Sequence, residues 1–254
     1  MSFVRALAVL LFLSLGSIPT ARAEGMLKVV TEGAYPPFNY LDEQGHPAGF
    51  DVDIARALCQ AMDVDCRILA ADWDDLLPGL AQGRYDMIVA SMASTPERER
   101  VADFTDDYYR SRSMFVARQG IPFTQTPEGL AGKKLAAQSG TVQAEYLEHH
   151  FSRLSQVMLT DTLDMALDML VRQKVDAVLT DSLVIFSFLQ SPDGKRFDFA
   201  GTALPVDDPS SKAKIAVCKG NDSLRQRLNS ALREIRLNGT YDQINRKYFP
   251  FSIY

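Results

Sequence analysis

Cysteine and histidine are scarce in this chain, with three of each among 254 residues. His46, His149 and His150 fit no metal-ligand spacing, so no metal and no cofactor is expected. Positive charge is also short: 27 Lys+Arg stand against 32 Asp+Glu, a net charge of −5. That balance disfavours nucleic acid as a partner and fits a soluble protein. Long apolar runs are missing beyond the first 23 residues. Those residues carry Arg5, an apolar run from Ala6 to Leu15, and the small-residue end Ala21-Arg22-Ala23. They read as a secretory signal peptide cleaved after Ala23, with an apolar run too short to span a bilayer. No cysteine stands at the cleavage point, so export as a free periplasmic protein is expected, without a lipid anchor.

In an exported chain the close pair Cys59 and Cys66 favours a disulfide over a metal site, since no histidine lies nearby to complete a ligand set. Cys218 has no evident partner and sits in an apolar run, where a thiol serves as a small hydrophobe.

The most informative stretch runs from Asp86 to Arg98. Met87 to Ala90 is an apolar run of the length of a buried strand. Thr95 is a good N-cap, Pro96 suits the first helical position, and Glu97 complements the positive end of the helix dipole. Between them lies the small-residue turn Ser91-Met92-Ala93-Ser94, whose N–H groups offer an anion site. Arg98 adds a planar fork able to grip a carboxylate in two places. Taken alone, the stretch is equally well a surface loop with an exposed arginine.

Other strand ends supply complementary groups. The strand Leu27 to Thr31 leads into Glu32-Gly33-Ala34-Tyr35-Pro36-Pro37-Phe38, where two prolines and a glycine forbid regular structure. Such loops at the carboxyl ends of strands are where open α/β sheets place ligands. Glu32 and Tyr35 are offered to a cleft, and Phe38 to the core. A helix is expected from Asp51 to about Met62, a strand over 67–70, and a helix over 76–81. Trp73 falls in the loop before that helix and fits either a core position or a cleft wall. The strand Lys134 to Ala137 turns through Gln138-Ser139-Gly140-Thr141 into a helix near Val142; Thr141 reads first as its cap and is also placed to bind. Asp176 to Thr180 reads as a buried strand ending at Asp181, and Ala213 to Cys218 as another. A helix capped by Asn221 or Asp222 then presents Leu224, Leu228, Leu232 and Ile235 on one face and stops at Asn238-Gly239. The aromatic tail from Tyr241 to Tyr254 is expected to dock.

Leu77, Leu80, Arg84, Asp86, Ile88 and Ser91 are echoed at the same spacing by Leu167, Leu170, Lys174, Asp176, Val178 and Asp181. The echo supports two similar lobes, with Ser91 and Asp181 at equivalent strand ends facing each other across a cleft.

In that order, TEGAYPPFNY, GFDVDIARALC, ADWDDLLPGLAQGRYDMIVASM, TPERER, QSGT, VDAVLTDS and NGTYDQINRKYF resemble the extracellular solute-binding proteins, family 3, of polar-amino-acid ABC transporters. The nearest likeness is to lysine-arginine-ornithine, arginine and opine binders. It covers essentially the whole exported chain. The resemblance implies an α/β, two-lobed periplasmic-binding-protein fold of type II, with two hinge strands and a ligand cleft between the lobes. One lobe would comprise 24–112 and 207–254, and the other 113–206. It implies that Arg98 clamps the ligand carboxylate with help from Ser91, Ala93 and Thr141, that Asp181 receives the α-ammonium, and that Glu32 meets a distal cation whose stem lies between Tyr35 and Trp73. Ala90 and Ala93 depart from the hydroxyl or acid found there in several such binders, and 207–213 lacks the YFG-like run common before the second hinge.

The expected function is periplasmic binding of a basic amino acid or opine-like derivative by a monomer that delivers it to a membrane ABC permease. The alternatives are another polar amino acid, a sensory co-receptor, or an enzyme like cyclohexadienyl dehydratase, which shares the fold; no catalytic residue is assigned.

Overall fold

A computed structural model describes residues 25–205 and 208–254. The leader assigned to the first 23 residues lies outside the described residues. No helix of the described residues is long and apolar enough to cross a membrane.

The chain begins with β1 (Leu27–Thr31), β2 (Ala34–Tyr35), β3 (Asn39–Leu41), β4 (Pro47–Ala48), α1 (Phe50–Ala61), β5 (Cys66–Ala70), α2 (Trp73–Ala81), β6 (Met87–Ile88), α3 (Pro96–Glu99) and β7 (Ala102–Arg110). After Ser111 and Arg112 come β8 (Ser113–Arg118), β9 (Lys134–Gln138), α4 (Val142–His150), β10 (Gln156–Thr160), α5 (Leu163–Val171), β11 (Ala177–Asp181), α6 (Ser182–Gln190) and β12 (Phe197–Ala200). The chain then returns through β13 (Lys212–Cys218), α7 (Asp222–Leu237) and α8 (Thr240–Tyr248).

Two five-stranded sheets result, in the orders β5-β1-β6-β13-β7 and β10-β9-β11-β8-β12. Within each, the first three strands run parallel and the next is antiparallel to its central neighbour. β6 and β11 occupy the same central place, so the echo between the two segments corresponds to a repeated architecture. Among the described elements two connections join the sheets, β7 to β8 and β12 to β13. This is the two-lobed α/β layout that the motifs implied, with two crossovers as hinges.

Local chemistry explains most elements. Val29, Val30, Met87 and Ile88 are wholly buried, as apolar runs in parallel strands flanked by helices must be. α1 buries Ile54 and Leu58, and its end is tied to β5 by the disulfide Cys59–Cys66, with Cα atoms 6.2 Å apart. Cys218 is the free thiol and is half-buried. The Asn221 side chain caps α7 by accepting from Leu224 N at 3.2 Å, and Leu224, Leu228, Leu232 and Ile235 are buried together as their spacing predicts.

Two expectations need correction. Trp73 is not in a loop but opens α2, because Asp72 takes an extended conformation at the N-cap and the helix begins one turn earlier than its apolar residues do. The tail is not merely docked: Thr240–Tyr248 forms a helix that starts after Gly239, whose φ of 82° suits glycine. Its Tyr241 hydroxyl donates to the Tyr108 carbonyl at 2.7 Å, fixing the tail to β7.

Candidate functional site

The carboxyl ends of β1, β6, β9 and β11 meet at one cleft between the two sheets. All eight side chains or backbone positions expected there line it: Glu32, Tyr35, Trp73, Ser91, Ala93, Arg98, Thr141 and Asp181. Gln138, Gln143 and Ser210 join them. In the sequence Gln138 reads only as part of a turn. It ends β9, which lies beside the central strand as β1 does, so the strand-end reasoning that selected Glu32 applies to it equally.

The cleft is closed to ≈ 40 Å³ by direct bonds between the two sides. Gln138 Nε2 donates to Glu32 Oε1 at 2.5 Å. Trp73 Nε1 and Arg98 Nη2 both donate to the Gly140 carbonyl, at 3.1 and 2.9 Å. Tyr35 and Thr180 hydroxyls approach to 3.4 Å. Gly140 permits this approach: its φ is +66°, and a Cβ there would stand 2.9 Å from Asp74 Oδ1 and 3.2 Å from Trp73 Nε1.

Arg98 supplies the cationic pole. Thr95 caps the single turn α3 by accepting from Arg98 N at 3.3 Å, which sets the start of the arginine side chain. Nη1 donates to the Ala93 carbonyl at 2.7 Å, and the guanidinium lies over the Trp73 ring with 5.4 Å to its centroid. No carboxylate among the described residues pairs with it. Burial lowers its pKa to about 10, with the charge of Glu145 opposing the fall only in part. The turn before α3 contributes less than its sequence suggests. The Ser91 N–H is taken by the Tyr108 hydroxyl at 2.9 Å, and Ser91 itself sits at φ 53°. Thr141 caps α4 through Ala144 N at 3.1 Å and donates its hydroxyl to the Gln138 carbonyl at 2.6 Å. The N–H groups of the first turn of α4, beginning at Val142, have no partner within the helix.

Three buried carboxylates form the opposite pole. Glu32 is 7 % exposed, Asp181 6 % and Asp51 0 %. Desolvation pushes Glu32 up to about 7 despite the Gln138 bond, and Asp164, Asp51 and Asp72 add to the rise. Burial likewise raises Asp181 to about 6, partly offset by donation from Ser111 Oγ at 2.5 Å and Leu183 N at 2.7 Å. Asp181 thus caps α6 while one face of it lines the cleft. Asp51 lies beneath the site. It accepts from Tyr108 Oη at 2.6 Å, Asn39 Nδ2 at 2.8 Å and Ser91 Oγ at 2.9 Å, and burial raises it to about 6. Asn39 also accepts from Gly33 N at 2.8 Å, so one network ties the Glu32 loop and the Ser91 turn to α1.

Two α/β lobes on a double hinge, closing on a cleft with one guanidinium and several buried carboxylates, define a binding protein for a small charged solute. The chain belongs to the bacterial extracellular solute-binding proteins, family 3, whose profile matches residues 27–251. It is 35% identical over 247 residues to an L-arginine-binding protein of Pseudomonas aeruginosa, covering 96% of this chain and 95% of the relative. It is 31% identical over 256 residues to the lysine/arginine/ornithine-binding periplasmic protein of Escherichia coli, covering 99% and 98%. Among solved structures, an ancestral arginine-binding protein bound to arginine superposes with a TM-score of 0.82 at 32% identity, covering 90% of this chain and all of the other.

Proposed function

We propose that the cleft binds a basic amino acid, such as arginine, lysine, ornithine or a related derivative, and presents it in the periplasm to a membrane ABC permease. The observation that carries this reading is the pairing of one guanidinium with no salt-bridge partner among the described residues, Arg98, with the buried carboxylates Glu32 and Asp181 in one closed cleft. A zwitterion with a cationic tail is the complement of that set. Its carboxylate takes the place of carbonyl acceptors at Arg98, its ammonium meets Asp181, and its tail passes between Tyr35 and Trp73 to Glu32. Gln138 steadies the far end. Because Ser91 and Thr141 spend donors internally, the rest of the carboxylate site falls to backbone N–H groups near Ala93 and at the start of α4.

Residues 24–112 with 207–254 and residues 113–206 are the lobes of this reading, and the leader is removed after Ala23. The protein acts as a monomer and performs no turnover. The names of the relatives support a basic ligand and a periplasmic place. The lobes part to admit the ligand, since the cross-cleft bonds fill the space it needs, and ligand shifts the population back to the closed form.

A thermal-shift screen of ligand-stripped protein tests the reading against the common amino acids, ornithine, citrulline, opines and prephenate. A ligand at 100 times its dissociation constant adds about 2.7 kcal/mol of stability. Shifts confined to cationic amino acids and opines support the proposal. Shifts with neutral or acidic ligands alone overturn the role of Glu32, and product formed from prephenate or arogenate above background overturns a pure binding function.

A further inference from the structure

A groove of ≈ 540 Å³ lies at the hinge, outside the amino-acid cleft. Its volume falls within the range of about 300–1,000 Å³ typical of small-molecule sites. Both crossovers line it, through Ser111 and Arg112 on one and Ala203 and Ser211 on the other, and so do Lys212 at the start of β13, Met114, Leu183 and the tail residue Phe251.

The lining has a definite chemistry. Among the described residues no aspartate or glutamate side chain lines it, although acids outnumber bases in the chain as a whole. Three cations surround it, and they are differently engaged. Arg110 is held by Asp107 at 2.6 Å. Arg112 spends its donors on the Leu204 and Ala203 carbonyls, at 2.5 to 3.1 Å, and has no carboxylate partner among the described residues. Lys212 is exposed, and its side chain makes no hydrogen bond or ion pair among the described residues. Between these charges lie Met114, Leu183 and Phe251, the last 46 % exposed. A cationic rim around an apolar floor complements a small anion with an apolar body.

The groove also shares a wall with the cleft. Ser111 Oγ, in the groove, donates to Asp181 Oδ1, in the cleft, and lies 3.2 Å from Ser182 Oγ. Because the lining spans both crossovers, its shape depends on the angle between the lobes. A molecule held there binds the open and closed forms unequally, which is the condition for coupling between two sites.

We propose that the hinge groove is a second binding site, for a small carboxylate bearing an aliphatic or aromatic body, whose occupancy alters the affinity of the cleft. The carboxylate sits between Lys212 and Arg112, and the apolar body lies on Met114, Leu183 and Phe251. The coupling rests on the amino-acid reading of the cleft, whereas binding in the groove does not.

The test is calorimetric titration of the exported chain with 4-phenylbutyrate and with its neutral amide. Saturable binding of the carboxylate is expected, with the amide weaker by about tenfold and Lys212→Gln costing a similar factor, as for a hydrogen bond to a charged group. Phe251→Ser weakens both probes and leaves arginine binding unchanged. Saturating arginine shifts the phenylbutyrate affinity by about fivefold or more, and the reverse titration returns the same factor, as linkage requires. The site is overturned by no saturable binding up to roughly millimolar probe, by binding that arginine abolishes, which would place the probe in the cleft, or by binding that neither variant changes. Equal phenylbutyrate affinities with and without arginine overturn the coupling alone.

Discussion

Arginine binding should weaken with acid in a way that depends on Glu32. In the closed cleft without ligand, burial and the neighbouring Asp164, Asp51 and Asp72 place this carboxyl near 7. A guanidinium or ammonium tail beside it requires the ionised form, so binding below that value releases a proton. Each pH unit below about 7 then weakens the apparent affinity about tenfold, or about 1.4 kcal/mol, giving roughly a hundredfold by about pH 5. Below about 6 Asp181 begins to titrate as well and steepens the fall. Stability of the ligand-free protein runs the other way. Glu32 is raised from 4.5 to about 7 on folding, so the folded state binds more protons than the unfolded chain in that window. The stabilisation this represents, on the order of 3 kcal/mol, is fully present below 4.5 and is lost as pH rises through about 7. Asp51 and Asp181, raised from 3.8 to about 6, contribute with the same sign in their own window. Calorimetry between about pH 5 and pH 8, in buffers of different ionisation enthalpy, measures affinity and proton release together. Glu32→Gln should remove the slope between about 6 and 7. A flat affinity profile in the natural protein, or the same slope in the variant, would refute the assignment of Glu32 to the cationic tail.

Arg98→Ala should abolish detectable amino-acid binding while the far-ultraviolet circular dichroism stays unchanged, and normal affinity would remove Arg98 from the site. Gly140→Ala places a Cβ against Trp73 and Asp74 at a positive φ, so closure should suffer more than folding; ligand affinity drops by about tenfold or more, and the solitary Trp73 should report the change by fluorescence. Asp51→Asn sets an amide against the Asn39 amide and loses charged acceptors for Tyr108 and Ser91, costing about 1–3 kcal/mol of stability by denaturant unfolding. An unchanged midpoint would mean that the network beneath the cleft contributes little.

Much of this molecule is readable one element at a time. Apolar runs such as Met87 to Ala90 fix buried strands. Thr95 followed by Pro96 starts a helix, and the Leu224 to Ile235 spacing defines its buried face. Loops after such strands marked Glu32, Ser91 and Asp181 as residues for a cleft, because parallel strands deliver their carboxyl ends to one side. The place of Trp73 is not readable in this way, because the helix start is set by backbone conformation at Asp72, which apolar spacing does not register.

Which residues are apolar, which can cap, and which carry charge at strand ends is written in the order of amino acids, since each of these is a property of a few neighbouring residues. How those charges are used depends on contacts between distant parts of the chain. Ser91 gives its N–H to Tyr108, 17 residues away, and Gln138 reaches Glu32 across 106 residues. Arg98 and Trp73 share a carbonyl at Gly140, in the opposite lobe. Burial then shifts Glu32, Asp51, Asp181 and Arg98 toward neutrality. The cost of removing a charge from water depends on everything packed around it, and no local pattern in a sequence encodes that surrounding.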